Sequence, residues 1–147
     1  MNGPVRRLLA AYEVRSVQDS LWALREVMQE IALLGLWRGK FFEKAAFYGG
    51  TALRVLYGLD RYSEDLDFSL LKKGDGFELG DYGESLKREL ASFGFAVEIE
   101  GRKKQAQTAV QSAFLKADTR TQMIIVEFER GLVQQVPRNQ VLKIKLE

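Results

Sequence analysis

Two periods run through this chain, one near 3.6 residues and one of two, and the points where they change mark the predicted elements. Val17, Leu21, Leu24, Met28 and Ile31 recur at helical spacing, which predicts an amphipathic helix. Ser16 is placed to cap it, with Asp19 three positions on as an imperfect capping box. The pattern carries the helix to about Leu34, with Gly35 ending it. Ahead of it, Met1–Arg15 holds Pro4 and the run Arg6-Arg7-Leu8-Leu9, read as a short helix or a loosely fixed arm. Phe41-Phe42 predicts a short second helix packed on a sheet, and Trp22 and Trp37 are read as packing residues. A third helix is expected over residues 81–93, with Tyr82, Leu86, Leu90 and Phe93 on its buried face and Gly94 at its end. Phe95–Glu100 and Val141–Glu147 show the two-residue alternation of strands, and Val110–Lys116 and Thr121–Glu129 also read as strands. Gly131–Pro137 turns the chain between them, and Leu70–Gly80 is a loop.

The stretch from Phe47 to Ser69, FYGGTALRVLYGLDRYSEDLDFS, combines more signals than any other. A buried-looking run, Ala45 to Tyr48, stops at Gly49-Gly50, and Thr51 opens a short apolar helix over Ala52–Leu56. A polar turn, Gly58–Glu64, leads into a strand carrying Asp65 and Asp67. Side chains two apart on a strand share a face. Asp65 and Asp67 therefore project together while Leu66 and Phe68 point to the core. Two neighbouring carboxylates repel unless a cation lies between them, so the pair reads as a hard-metal site, most naturally for Mg2+. The diglycine lets the backbone turn sharply and a ligand come close, and the helix after it offers unpaired N–H groups suited to phosphate. Together these describe a phosphoryl- or nucleotidyl-transfer site. The pattern is neither G-x-x-x-x-G-K-[ST] nor G-x-G-x-x-G, which disfavours P-loop and dinucleotide sites.

Composition narrows this chemistry. There is no cysteine and no histidine, so disulfides, thiolates and imidazole bases are excluded. Any metal must rest on oxygen ligands, as Mg2+ or Mn2+ would. Twenty-two basic against 20 acidic residues leave a net charge of only +2, so any attraction for nucleic acid must be local. Arg102, Lys103 and Lys104, placed in a turn, are candidates for contacting a nucleic-acid backbone, and Lys72 and Lys73, in the loop after the acidic strand, for contacting such a backbone or the triphosphate; both groups are also ordinary solvated charge. The 147 residues suffice for one domain with a real core. With no signal peptide, lipidation motif or long apolar span visible, a cytoplasmic protein is expected.

Gly49-Gly50-Thr51-Ala52-Leu53-Arg54 and Arg61-Tyr62-Ser63-Glu64-Asp65-Leu66-Asp67-Phe68-Ser69 resemble the first two motifs of the DNA polymerase beta-like nucleotidyltransferase superfamily. More narrowly, they resemble the AbiEii/AbiGii-type toxin nucleotidyltransferases of abortive-infection and toxin–antitoxin systems. Leu33-Leu34-Gly35-Leu36-Trp37, Phe41-Phe42-Glu43-Lys44, Ser112-Ala113-Phe114-Leu115-Lys116 and Ile144-Lys145-Leu146-Glu147 are similar too. The resemblance covers almost the whole chain. It implies an α+β fold, a mixed or antiparallel sheet with packed helices. One nucleotidyltransferase domain then spans 1–147, with a helical segment at 1–44 and a catalytic sheet core at 45–147. It also implies a mostly helical C-terminal part, absent from this sequence, so a truncated chain, a natural short version and half of a split protein all remain open.

The activity implied is Mg2+-dependent transfer of a nucleoside monophosphate from an NTP to an acceptor hydroxyl, the 3′ end of a tRNA by resemblance or a protein hydroxyl as the alternative. Asp65 and Asp67 would hold two metal ions, and Gly49, Gly50 and Thr51 the triphosphate. Arg61 and Ser63 would steady the phosphates, although Arg61 could equally pair with Glu64 or Asp60; Arg54 is read as an internal ion-pair partner. A third carboxylate on a neighbouring strand is expected. Glu127 and Glu147 both qualify on the residues, and the resemblance favours Glu147. A cognate antitoxin is the implied partner. Two rival readings stand beside this one. A degenerate fold could serve as a non-catalytic RNA- or partner-binding module, and a phosphohydrolase could turn the same acids on water.

Overall fold

A computed structural model describes residues 3–58, 65–71, 78–102, 112–118 and 141–146. Helix α1 covers Gly3–Leu9 and buries Val5. Helix α2 covers Val17–Arg38 and begins where its cap predicts: the Ser16 hydroxyl accepts the Asp19 backbone N–H at 3.1 Å. The Asp19 carboxylate reaches back to the N–H of Arg15 at 3.0 Å. This is the imperfect capping box, with its return bond shifted one residue upstream.

Gly35 does not end α2. The helix runs on to Arg38 and is capped by Gly39, whose N–H bonds the Gly35 carbonyl at 3.0 Å. The reason is tertiary. Helix α4, Gly83–Ser92, lies so close that a Cβ on Gly35 would stand 3.1 Å from the Glu89 Cβ and 3.2 Å from the Ser85 carbonyl. Glycine is there for helix-to-helix approach, and an Arg38–Glu89 ion pair of 3.0 Å closes the seam at its edge. Leu79–Tyr82 forms a 3₁₀ turn before α4, so the helix expected over 81–93 is shorter and half-buried Phe93 caps it.

The described strands are β1 (Ala45–Tyr48), β2 (Asp65–Leu70), β3 (Glu98–Arg102), β4 (Ser112–Asp118) and β5 (Val141–Leu146), with helix α3 (Gly49–Tyr57) between the first two. Their order in the sheet is β1-β2-β5-β4-β3. β2 and β5 run parallel, with Asp65 opposite Lys145 and Leu66 opposite Leu146. The other pairs are antiparallel, so the sheet is mixed, as expected of the α+β class. β3 begins at Glu98 rather than Phe95, and Arg102 is a strand residue opposite Ser112 rather than part of a turn. β4 continues to Asp118, beyond the predicted end at Lys116, while Val110 and Gln111 lie outside the described residues. The predicted strand at 121–129, the turn at 131–137, and Lys72, Lys73, Lys103 and Lys104 lie outside the described residues.

The core gathers α2, α4 and one face of the sheet: Leu24, Val27, Met28, Ile31, Leu36, Leu66, Leu86 and Leu90 are all buried. Each such side chain contributes about 1.5–3 kcal/mol by leaving water. The 3₁₀ turn Phe41–Glu43 drives Phe41 into this core. Its ring meets Phe68 edge-on at 4.7 Å and Tyr82 at 5.0 Å, which fixes that turn against β2. Trp22 is half-buried beneath the Arg25 guanidinium, 5.0 Å from its ring. Trp37 is not core: it is 63% exposed, because the extension of α2 beyond Gly35 carries it to the surface.

Candidate active site

The site is built where β1 hands over to α3 beside the acidic strand. Along β1–β2, Phe47 is opposite Phe68 and Tyr48 opposite Asp67. Phe47 and Phe68 have their rings 5.6 Å apart, so cross-strand partners share a face here. Leu66 is fully buried on that same face. Alternation then sets Asp65, Asp67 and Tyr48 together on the opposite, open face. The two acids are half-buried, and their Cα atoms lie about 7 Å apart at the rise of a strand. The predicted same-face pair is therefore what the backbone delivers.

The run Ala45–Tyr48 is not buried throughout. Only Ala45 is fully buried, and Tyr48 is 55% exposed. The two-residue alternation of a strand was the signal that separates Tyr48 from that run.

α3 starts at Gly49, two residues before the expected Thr51. Gly49 takes φ +86°, a left-handed conformation that glycine adopts without strain. A Cβ on it would lie 2.5 Å from Oδ2 of Asp67, 3.2 Å from its Cβ and 3.3 Å from its Cγ. The bare Cα thus leaves the room in which the Asp67 carboxylate sits, against the start of the helix. Thr51 falls inside the first turn and is buried, and its hydroxyl donates to the backbone carbonyl of Asp65. That bond clamps the helix start to the strand carrying both acids. It also turns the hydroxyl away from any ligand, which leaves the first-turn backbone N–H groups of α3 to meet a phosphate.

Arg54, in the second turn of α3, does what an internal ion-pair partner is expected to do. Its Nε donates to Oε2 of Glu26 at 3.0 Å, while the Tyr12 hydroxyl donates to Oε1 of the same carboxylate at 2.6 Å. These bonds tie α3 to α2 and to the segment before it. Glu30 sits one turn further along α2. Burial, and then the neighbouring Glu26 charge, hold its carboxyl above the ordinary value of 4.5.

Two aspartates offering only oxygen suit a hard cation such as Mg2+, and the Gly49 gap holds one of them in place, so the residues present fit such an ion. Among the described residues, no group of three or more potential ligands comes together. Arg61, Ser63, Glu127 and Glu147 lie outside the described residues. Among the described residues, no helix is long and apolar enough to cross a membrane.

A mixed α+β fold with an Asp-x-Asp strand set against a diglycine helix start is consistent with the polymerase-beta-like nucleotidyltransferases. The family described as "Nucleotidyl transferase AbiEii toxin, Type IV TA system" matches residues 31–147. The chain belongs to this AbiEii toxin nucleotidyltransferase family. Membership carries with it a nucleotidyltransferase toxin activity within a toxin–antitoxin or abortive-infection system. Comparison with curated proteins and with solved structures returned no match.

Proposed function

We propose that this chain transfers a nucleoside monophosphate from an NTP to a hydroxyl at the 3′ end of a tRNA, with Mg2+ held by Asp65 and Asp67. The observation that supports this best is the seating of the Asp67 carboxylate against the α3 start, in space that any side chain on Gly49 would occupy. An acid there and the first-turn N–H groups, which a helix leaves without intrahelical partners, meet at one point, as a triphosphate accompanied by a cation requires. Gly49, Gly50 and the backbone of Thr51 receive the phosphates, and Arg61 and Ser63, four and two positions before Asp65 in the sequence, add charge-assisted hydrogen bonds. When bound, Mg2+ supplies charge neutralisation and alignment for in-line displacement.

The acceptor oxygen bonds to the α-phosphorus as the bond to the β-phosphate bridge breaks, and pyrophosphate leaves. The hydroxyl proton passes to a carboxylate. Glu147 is the proposed recipient and third acidic group; it directly follows Leu146, whose register partner Leu66 stands between the two aspartates. Catalysis then comes from positioning and electrostatics, so the lack of histidine is no obstacle. A cognate antitoxin is the proposed protein partner.

The test is transfer of α-phosphate label from each NTP to total tRNA and to protein with Mg2+, run beside Asp65→Ala and Asp67→Ala. Label on tRNA that falls at least about 100-fold in both variants is expected, each tenfold being 1.36 kcal/mol of barrier. Label on protein alone would replace the acceptor. Transfer undiminished in the variants would sink the assignment of the acids.

A further inference from the structure

We infer that Tyr48 is the platform on which the base of the incoming nucleotide stacks. This rests on the nucleotidyl-transfer reading of the same site. Tyr48 is the register partner of Asp67, so the two side chains rise from adjacent strands on one face, with Cβ atoms about 5 Å apart. The residue is 55% exposed, directly before the Gly49 turn. Among the described residues, neither its ring nor its hydroxyl has a hydrogen-bond, ring or cation partner.

That isolation sets it apart from the aromatic residues around it. Phe41, Phe42, Phe47, Phe68 and Tyr82 are engaged with one another on the buried face. A large ring left bare costs the folded state the burial it could have gained, and strand geometry here offers an equivalent inward position one residue earlier. Tyr57 is more exposed still, but it ends α3, about 12 Å along the helix from Gly49. Among the described aromatic residues, Tyr48 alone stands beside an acid of the site.

A nucleotide anchored by its phosphates at Asp67 and the α3 start has its base one ribose away, and the exposed Tyr48 ring beside Asp67 offers an apolar surface within that reach. Every base has a π-face, so such a contact strengthens binding without choosing among bases. Tyr48 thus contributes affinity for nucleosides in general, and base preference must be set elsewhere.

Binding with Mg2+ is measured for non-hydrolysable analogues of the four NTPs and for inorganic triphosphate, which lacks any base. The proteins are wild type, Tyr48→Ala, Tyr48→Phe and Asp67→Asn, each checked by thermal melting. Tyr48→Ala is expected to weaken all four nucleotides by about 5- to 150-fold and to leave inorganic triphosphate unchanged. Tyr48→Phe keeps the ring and stays within about twofold of wild type, as stacking alone requires. Asp67→Asn weakens nucleotides and triphosphate alike. Nucleotide binding indifferent to Tyr48→Ala but lost in Asp67→Asn overturns the stacking role alone. Equal loss of nucleotide and triphosphate in Tyr48→Ala also overturns it, since the effect then lies on the phosphates. A wild-type chain that binds neither ligand takes the nucleotidyl-transfer reading down with it.

Discussion

Adding one methyl group at Gly49 strikes the backbone and the acid together, and Gly58 separates the two effects. Gly49 has φ +86° and Gly58 φ +70°. An alanine in this region costs about 1–2 kcal/mol, which for a chain of this size lowers Tm by about 2–8 °C. Both Gly49→Ala and Gly58→Ala are expected to show that loss. Among the described residues a Cβ on Gly58 would meet nothing within 4 Å, whereas at Gly49 it would lie 2.5 Å from Asp67 Oδ2 and 3.2–3.3 Å from the rest of that side chain. Swinging the terminal oxygen alone does not relieve three such contacts. Rotation about χ1 moves Cγ and Oδ2 while the 3.2 Å contact with Cβ yields only to a small backbone shift, so the carboxylate leaves the position in which it faces the helix start.

Displacing a ligand's support typically costs about 10- to 100-fold in metal affinity or activity. Gly49→Ala is therefore expected to lose about that much Mg2+-dependent label transfer beyond the loss in Gly58→Ala. The assay pairs thermal melts with a Mg2+ titration of transfer, at equal folded protein. Transfer by Gly49→Ala within about twofold of Gly58→Ala would refute the claim that the bare Cα positions Asp67.

Thr51→Val keeps the shape of a buried residue but removes the donor to the Asp65 carbonyl. It should cost toward the lower end of about 1–3 kcal/mol and reduce transfer as the helix loosens from the strand, with Thr51→Ser restoring both in the same melts and assays. Glu30 is held above 4.5 by burial and then by Glu26, so the folded state binds its proton more tightly than the unfolded one. Stability from this group is fully present below about pH 4.5 and is lost as pH rises through the raised value. Glu30→Gln should therefore raise Tm at pH 7 and give no gain at pH 4; a gain that grows on acidification would contradict the sign.

Local chemistry was the readable part of the chain. Ser16 announced the start of α2 because a cap acts within three residues, as its bond to the Asp19 N–H shows. The shared face of Asp65 and Asp67 followed from strand period alone. The end of α2 was not readable at Gly35, since a glycine that stops a helix and one that admits a neighbouring helix look alike until α4 is in place. The same holds at the site. The diglycine was visible, but what Gly49 accommodates depends on the β1–β2 register that sets Tyr48 opposite Asp67. Arg54 could be assigned to an internal carboxylate, though not to Glu26, 28 positions upstream on another helix.

The parallel pairing of β2 with β5 has a consequence in time. Asp65 meets Lys145, 80 residues later. At a synthesis rate of about 5–20 residues per second, the strand bearing both aspartates waits about 4–16 s on the ribosome for that neighbour. Through that interval β1, α3 and β2 can form as a local unit, but β2 keeps an open edge. Closing so long a loop is also the slower kind of folding step. The cell thus meets the acidic strand first as an unfinished surface, one whose second neighbour is still to be made.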